Sequence, residues 1–211
     1  MVRGEEGVQK AQTAGTLYIV STPIGNMSDL SARAVETLGS VAAVLAEDTR
    51  HSRPLLERHG IATPLLAHHE HNEAKTTPLL AARLVAGESF ALISDAGTPL
   101  LSDPGARLVR AAIDAGIPVS PVPGASALLA ALVASGISAD RFTFFGFLAR
   151  KGKERSAAIA EIAALAHTAV LYEAPARVAD TLAALAAAGA GAREAVVARE
   201  LTKQFEEFRR G

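Results

Sequence analysis

The sequence predicts an α/β protein built on a parallel sheet. Three observations lead there: short β-branched apolar runs alternate with segments of helical apolar spacing, the connections are short, and most runs close in loops rich in Gly, Pro, Asn and Asp. A sheet of this kind is covered on both faces and binds ligands at the carboxyl ends of its strands.

Residues 1–15 have mixed charge and no apolar period, and are expected to form a disordered leader. The run T-L-Y-I-V-S (residues 16–21) is the first strand, closed by Thr22, Pro23, Gly25 and Asn26. Leu30, Ala34, Val35 and Leu38 then mark a helix with Asp29 or Ser31 as N-cap. The pattern repeats as a strand over 41–46 followed by Glu47, Asp48 and Thr49, a helix through Leu56 to His59, a weaker strand over 64–67, a polar loop over 68–72, and a helix over 73–86 stopped by Gly87. Next come a strand over 90–93, a Gly- and Pro-rich loop over 94–105, a helix to Ala115 and a strand over 118–122.

An apolar helix follows, interrupted at 136–141, after which the composition changes to aromatic and then Ala-rich. We place a domain boundary near Ser138, giving units 16–138 and 139–211. The second unit reads as a strand over 142–147, a helix over 154–166, a strand over 169–172, a helix over 176–188, a strand over 195–198 and a charged tail.

Leu, Ile, Val and Phe make up 55 of the 211 residues, above the roughly 20% below which chains stay disordered. Of 45 alanines, 19 fall between Lys151 and Glu200, so the second unit should pack through thin, Ala-faced helices. The chain has no cysteine, which excludes disulfides, zinc-thiolate and iron–sulfur sites and thiol nucleophiles. No apolar run approaches the roughly 20 residues that span a bilayer, so a soluble cytoplasmic protein without membrane association is expected. A net charge of −1 argues against nonspecific coating of nucleic acid, leaving room for a local basic patch.

Every functional-looking residue of the first unit follows a strand. Gly25, Gly97, Gly105 and Gly124 permit close backbone approach to a ligand, although glycines in such places also serve as plain turns. No G-x-G-x-x-G, no G-x-x-x-x-G-K-[ST] and no G-x-S-x-G is present. His68, His69, Glu70 and His71 lack metal-ligand spacing, so no metal is expected and His69 and His71 are read as substrate contacts. Glu47 and Asp48 fit either charge stabilisation at a helix start or a general base. Arg150, Lys151, Lys153 and Arg155 fit either a solvated helix start or an anion-binding patch.

The motifs S-T-P-I-G-N (21–26), A-E-D-T-R (46–50), H-E-H-N (69–72), S-D-A-G-T-P-L-L-S-D-P-G (94–105), P-G-A-S-A (123–127), F-F-G-F-L (144–148), Y-E-A-P-A-R (172–177) and R-E-L-T-K (199–203) closely resemble, in this order, the ribosomal-RNA-methylating branch of the tetrapyrrole methylase superfamily. The resemblance spans nearly all of 15–211. It implies two α/β domains with S-adenosyl-L-methionine in the cleft between them, and a homodimer. It also leads us to expect a second domain left incomplete at Gly211, because the family continues further.

The implied reaction is 2′-O-methylation of a cytidine in the decoding region of 16S rRNA, on free RNA or the 30S subunit. Methylation of a tetrapyrrole or another small molecule is the alternative. By resemblance the cofactor contacts are Pro23, Gly25, Asp95, Gly97, Thr98, Ser102, Asp103, Gly124, Ser126 and Ala127, with Tyr172, Glu173 and Leu201 nearer the adenine. Asp48 is the first candidate base and Glu47 the second. Arg50, Arg53, His69, His71, Arg150, Lys151, Lys153 and Arg155 form the expected RNA surface.

Overall fold

A computed structural model describes residues 14–211. Most of the expected leader therefore lies outside the described residues. Its last residue is already part of the fold: Gly15 is buried and donates its N–H to the Leu84 carbonyl at 2.8 Å.

β1 (Leu17–Val20), β2 (Ala43–Ala46), β3 (Leu65–Ala67), β4 (Phe90–Ile93) and β5 (Val119–Val122) form one sheet in the order β3-β2-β4-β1-β5. All pairings are parallel. Alternate side chains feed two cores, as a sheet covered on both faces requires. Val20, Val44, Ala46, Ala91, Ile93 and Val122 pack with α1 (Ala32–Ser40) and α2 (Thr49–Arg58). Leu17, Ala43, Leu45, Phe90 and Leu92 pack with α3 (Glu70–Val85) and α4 (Ala106–Asp114). Pro121, which cannot donate to a ladder, sits on the edge strand β5.

Local chemistry decides the helix starts. Of the two N-cap candidates for α1, Ser31 serves: its hydroxyl accepts the Ala34 N–H at 3.1 Å, while Asp29 ends a short 3-10 turn. α3 begins three residues before the expected Glu73. The Asn72 side chain accepts the His69 N–H and donates to Ala67 O, each at 2.9 Å, and closes a turn that the polar sequence disguises as loop.

The rest of the chain comprises α5 (Ala127–Ser135), β6 (Phe142–Phe147), α6 (Lys153–Ala164), β7 (Thr168–Tyr172), α7 (Val178–Leu185), β8 (Val196–Arg199) and β9 (Glu207–Arg210). β6 and β7 pair in parallel with a register shift after Phe144. β8 and β9 form a separate antiparallel pair. The end of the expected charged tail is thus a strand. Its apolar face amounts to Phe208, too little to signal alternation in E-F-R-R, and partners fix it instead: Arg199 pairs with Glu207, and Arg210 reaches the Ser135 and Ala134 carbonyls at the end of α5. The expected helix over 176–188 is likewise shorter, giving way to a wider turn, Ala186–Ala190, with Gly189 at φ +105°. Among the described residues no helix is long and apolar enough to cross a membrane.

Candidate active site

β1 and β4 are adjacent at the middle of the sheet, so the loops that leave their carboxyl ends meet. Thr22 and Gly97 exchange both backbone bonds, at 2.9 and 3.1 Å. The Thr22 hydroxyl donates to Ser94 O at 3.3 Å, Ser21 and Thr98 hydroxyls lie 3.1 Å apart, and Thr98 donates to Ala125 O at 3.1 Å. Three post-strand segments are therefore fastened together, which leaves little freedom to the backbone that would face a ligand. Gly97, at φ +81°, has the Ile24 methyl 3.0 Å from its missing Cβ. Leu100 and Ser102 both stand at φ +74°, a left-handed conformation that non-glycine residues keep where the surroundings impose it, as at binding sites. Gly105 at φ +118° ends the loop against Leu92.

The carboxylates at these strand ends divide into two kinds. Asp48 is the N-cap of α2: Oδ1 accepts the Arg50 N–H at 2.8 Å, and the Arg50 guanidinium bonds both oxygens at 3.1 and 2.8 Å. These bonds hold its carboxyl well below the usual carboxylate range. Glu47 moves the other way, raised first by burial and then by the negative Asp95 and Asp103. Asp103 is raised as well, chiefly by burial, against an opposing bond from Ser94. Asp95 ties the group to β2 by accepting the Asp48 N–H at 3.2 Å. Asp95 and Asp103 thus act on Glu47 with like charge, and Glu47 is more readily protonated than the adjacent Asp48.

Tyr172 meets this space from β7. Its ring contacts Phe144 and Phe147, with centroids 4.9 and 5.4 Å away, and burial raises its phenol. Gly146, at φ +59°, leaves room for Ser102, whose Oγ would stand 2.8 Å from a Cβ there. Pro23, Gly124, Ser126 and Ala127 lie on the neighbouring loop ends, Ser126 capping α5 through the Leu129 N–H. Leu201 brings its carbonyl to within 3.2 Å of the Gly25 Cβ position.

Two residues are placed differently from the sequence reading. The Glu173 side chain is only 7% exposed, accepts the Thr181 hydroxyl at 2.6 Å and lies 3.2 and 3.8 Å from Arg177 and Arg155. Burial alone would raise its pKa, but these partners and the Ala174 N–H outweigh burial and lower it. Arg155, expected on the RNA surface, donates to Thr181 at 2.8 Å and faces inward with Glu173. Arg50, Arg53, His71, Arg150, Lys151 and Lys153 are exposed. His69 caps α3, with its ring edge-on to His71 at 5.9 Å. Among the described residues no group of three His, Asp or Glu side chains is arranged to hold a metal.

A cavity of about 300 Å³ opens beside the first loop, lined by Pro23, Gly25, Met27, His51, Leu55, Asp95 and Lys203 among others. Lys203 was not singled out from the sequence, because only the hairpin carries it to the first loop. A wider groove of about 510 Å³ between α3 and α4 contains none of the candidate residues.

A parallel sheet whose carboxyl-end loops are stitched around clustered carboxylates places a candidate site where α/β proteins of this class bind ligands, and the sequence comparison makes the class specific. The chain belongs to the tetrapyrrole methylase family: the family model for Tetrapyrrole (Corrin/Porphyrin) Methylases matches residues 16–211. It is 55% identical to the ribosomal RNA small subunit methyltransferase I of Xylella fastidiosa (strain Temecula1), over 92% of this chain and 71% of that protein. The protein of the same name from Bacillus subtilis (strain 168) is 45% identical over the whole of this chain and 72% of its own length. The fold is shared with uroporphyrin III C-methyltransferase from Thermus thermophilus, with a TM-score of 0.65 at 19% identity over 93% of this chain and 88% of that one. A diphthine synthase superposes with a TM-score of 0.69 at 14% identity, covering 92% and 80%.

Proposed function

We propose that this protein transfers a methyl group from S-adenosyl-L-methionine to the ribose 2′-oxygen of a cytidine in the decoding region of 16S rRNA. The observation that carries the reading is the identity of 45 to 55% to proteins named ribosomal RNA small subunit methyltransferase I. The site supports it on chemical grounds. The cofactor is cationic at its ammonium and sulfonium, and Glu47, Asp95 and Asp103 offer carboxylates that a cation relieves of mutual repulsion.

When bound, the cofactor supplies a methyl group already activated by its sulfonium. The chain's residues then position the acceptor and manage one proton. Asp95 and Asp103 would pair with the ammonium and ribose hydroxyls, and the amides of Gly97, Gly124 and Ala127 would serve the carboxylate. Tyr172 and Leu201 would flank the adenine. Glu47, whose carboxyl pKa is raised by burial, would take up the 2′-hydroxyl proton at the acceptor oxygen. Asp48 aims α2 and orders Arg50 in place of acting as base. Lys151, Lys153 and Arg150 meet RNA phosphates together with Arg53. We place the cofactor between units 16–138 and 139–211 of a cytoplasmic homodimer.

Small-subunit particles or naked 16S RNA, incubated with the protein and labelled S-adenosylmethionine, should yield 2′-O-methylcytidine by mass spectrometry of nucleosides. A methylated base, or label entering only a porphyrinoid, would overturn the reading.

A further inference from the structure

Lys203 stands on the turn between β8 and β9 and leans across the first post-strand loop. Its stem fills the space over Gly25, where an added Cβ would lie 2.4 Å from Cγ and 3.0 Å from Cε. The turn is shaped to aim it. Glu200 and Thr202 stand at φ +51° and +65°, left-handed conformations that a non-glycine residue adopts when its surroundings hold it there. Glu206 accepts the Thr202 N–H at 2.7 Å, and Glu200 O accepts the Lys203 N–H at 3.0 Å. The ammonium pairs with the Glu200 carboxylate at 3.3 Å, with 46% and 43% of the two side chains exposed. Such a solvated pair is weak and yields to a better-placed anion.

We propose that the 300 Å³ cavity beside this lysine receives the acceptor nucleotide and that Lys203 binds its phosphate. The assignment rests on the RNA reading above and names the part of the substrate that this cavity takes. One ammonium and the His51 imidazole suit the single charge of a phosphodiester, Met27 and Leu55 give the nucleoside an apolar seat, and Asp95 joins the cavity to the carboxylates around Glu47. A porphyrinoid bearing many carboxylates would leave most of its charge unpaired against one lysine. The volume is at the low end of the roughly 300–1,000 Å³ of small-ligand pockets, which suits one flipped-out nucleotide rather than a macrocycle.

Lys203→Met keeps a stem over Gly25 and removes the charge. With small-subunit RNA as substrate, its KM for RNA should rise about tenfold, as for loss of one charged hydrogen bond. kcat and the Kd for S-adenosylmethionine should stay within about twofold, and the slope of log affinity against log salt should flatten by about 0.7, the share of one single-strand phosphate. Lys203→Arg should restore KM, and Glu200→Gln, which removes the competing carboxylate, should lower it about twofold. An unchanged KM and salt slope in Lys203→Met would reduce Lys203 to packing on Gly25 and overturn the assignment. A weakened cofactor Kd with normal RNA kinetics would give the cavity to the cofactor and overturn it too. If the wild-type protein methylates no small-subunit RNA, the RNA reading itself falls and takes this assignment with it; an active wild type beside an indifferent Lys203→Met removes the assignment alone.

Discussion

The first five strands and the last four are held together by different means. The five-stranded sheet lies between two apolar clusters with thirteen and ten buried members, whereas the cluster under β6 and β7 has three, Leu148, Ile159 and Ile162. In place of apolar volume, the second region uses arginines that bond loop carbonyls. Arg193 reaches Ile162 O and His167 O at 2.7 and 2.8 Å, Arg177 reaches Leu148 O and Ala149 O at 2.9 and 3.2 Å, and Arg210 ties β9 to the end of α5. Alanine-rich helices bury little area per residue, so charge-assisted bonds to the backbone fix the segments that packing would otherwise fix. The strained, stitched loops of the candidate site grow from the densely packed region, and the second region approaches them through Gly146, Tyr172 and Lys203.

The largest expected effect tests this contrast directly. Leu92→Ala should cost about 2–5 kcal/mol in denaturant unfolding, because Leu92 is 1% exposed and its Cδ2 supports Gly105. Ile162→Ala should cost toward the lower end of that range, about 2 kcal/mol, since thin neighbours can close over the gap. Equal losses would break the comparison.

At the site, Glu47→Gln should lower methyl transfer about a hundredfold or more at saturating cofactor, as expected for loss of a positioned base. Because burial raises its pKa, the wild-type rate should fall as pH drops through that raised value. Glu47→Gln removes that fall, while Asp48→Asn acts on stability and leaves the pH profile in place. A profile unchanged by Glu47→Gln would move the proton acceptor elsewhere.

A smaller effect separates exposed from internal cations in the basic cluster. Reversal of Lys151 and Lys153 to Glu should flatten the salt dependence of RNA binding by about 1.4, two single-strand phosphates' worth. Arg155→Ala should register in thermal unfolding instead, since that side chain holds Glu173 and Thr181. RNA binding lost in the arginine variant, with stability intact, would contradict the placement.

The smallest effect belongs to His68, fully buried at the end of β3 with Nδ1 2.9 Å from the Thr76 hydroxyl. Burial lowers its pKa, so the unfolded chain takes a proton that the folded chain refuses. Its stabilising contribution is complete above the unfolded value of about 6.5 and declines as pH falls from there toward the lowered folded value. His68→Asn should flatten stability against pH in that window, and a parallel curve would assign the titration to another group.

The first region was legible because its strands are bare runs such as V-A-A-V-L-A and F-A-L-I, set off by glycine and proline. The start of α3 was not, because Asn72 closes that turn with a side chain inside a polar stretch. β9 was hidden because its pairing depends on Arg199, Glu207 and Arg210 rather than on an apolar face. At the site, motif order located the loops, and A-E-D-T-R showed two adjacent acids. Their division into a capping Asp48 and a poised Glu47 depends on Arg50 and on Asp95 and Asp103 from distant loops, which no spacing rule reveals. For the same reason the sequence assigns Glu173 to the adenine and Arg155 to the RNA surface, though the two face each other in the fold.

The central claim is that carboxylates from the densely packed region hold the cationic cofactor. Calorimetric titration of S-adenosylmethionine into the wild type and Asp95→Asn tests it most directly, since asparagine keeps an oxygen to accept the Asp48 N–H at that position. The account predicts a Kd weakened about tenfold, the loss of one charged hydrogen bond, with unfolding unchanged. An affinity within about twofold of wild type would contradict it.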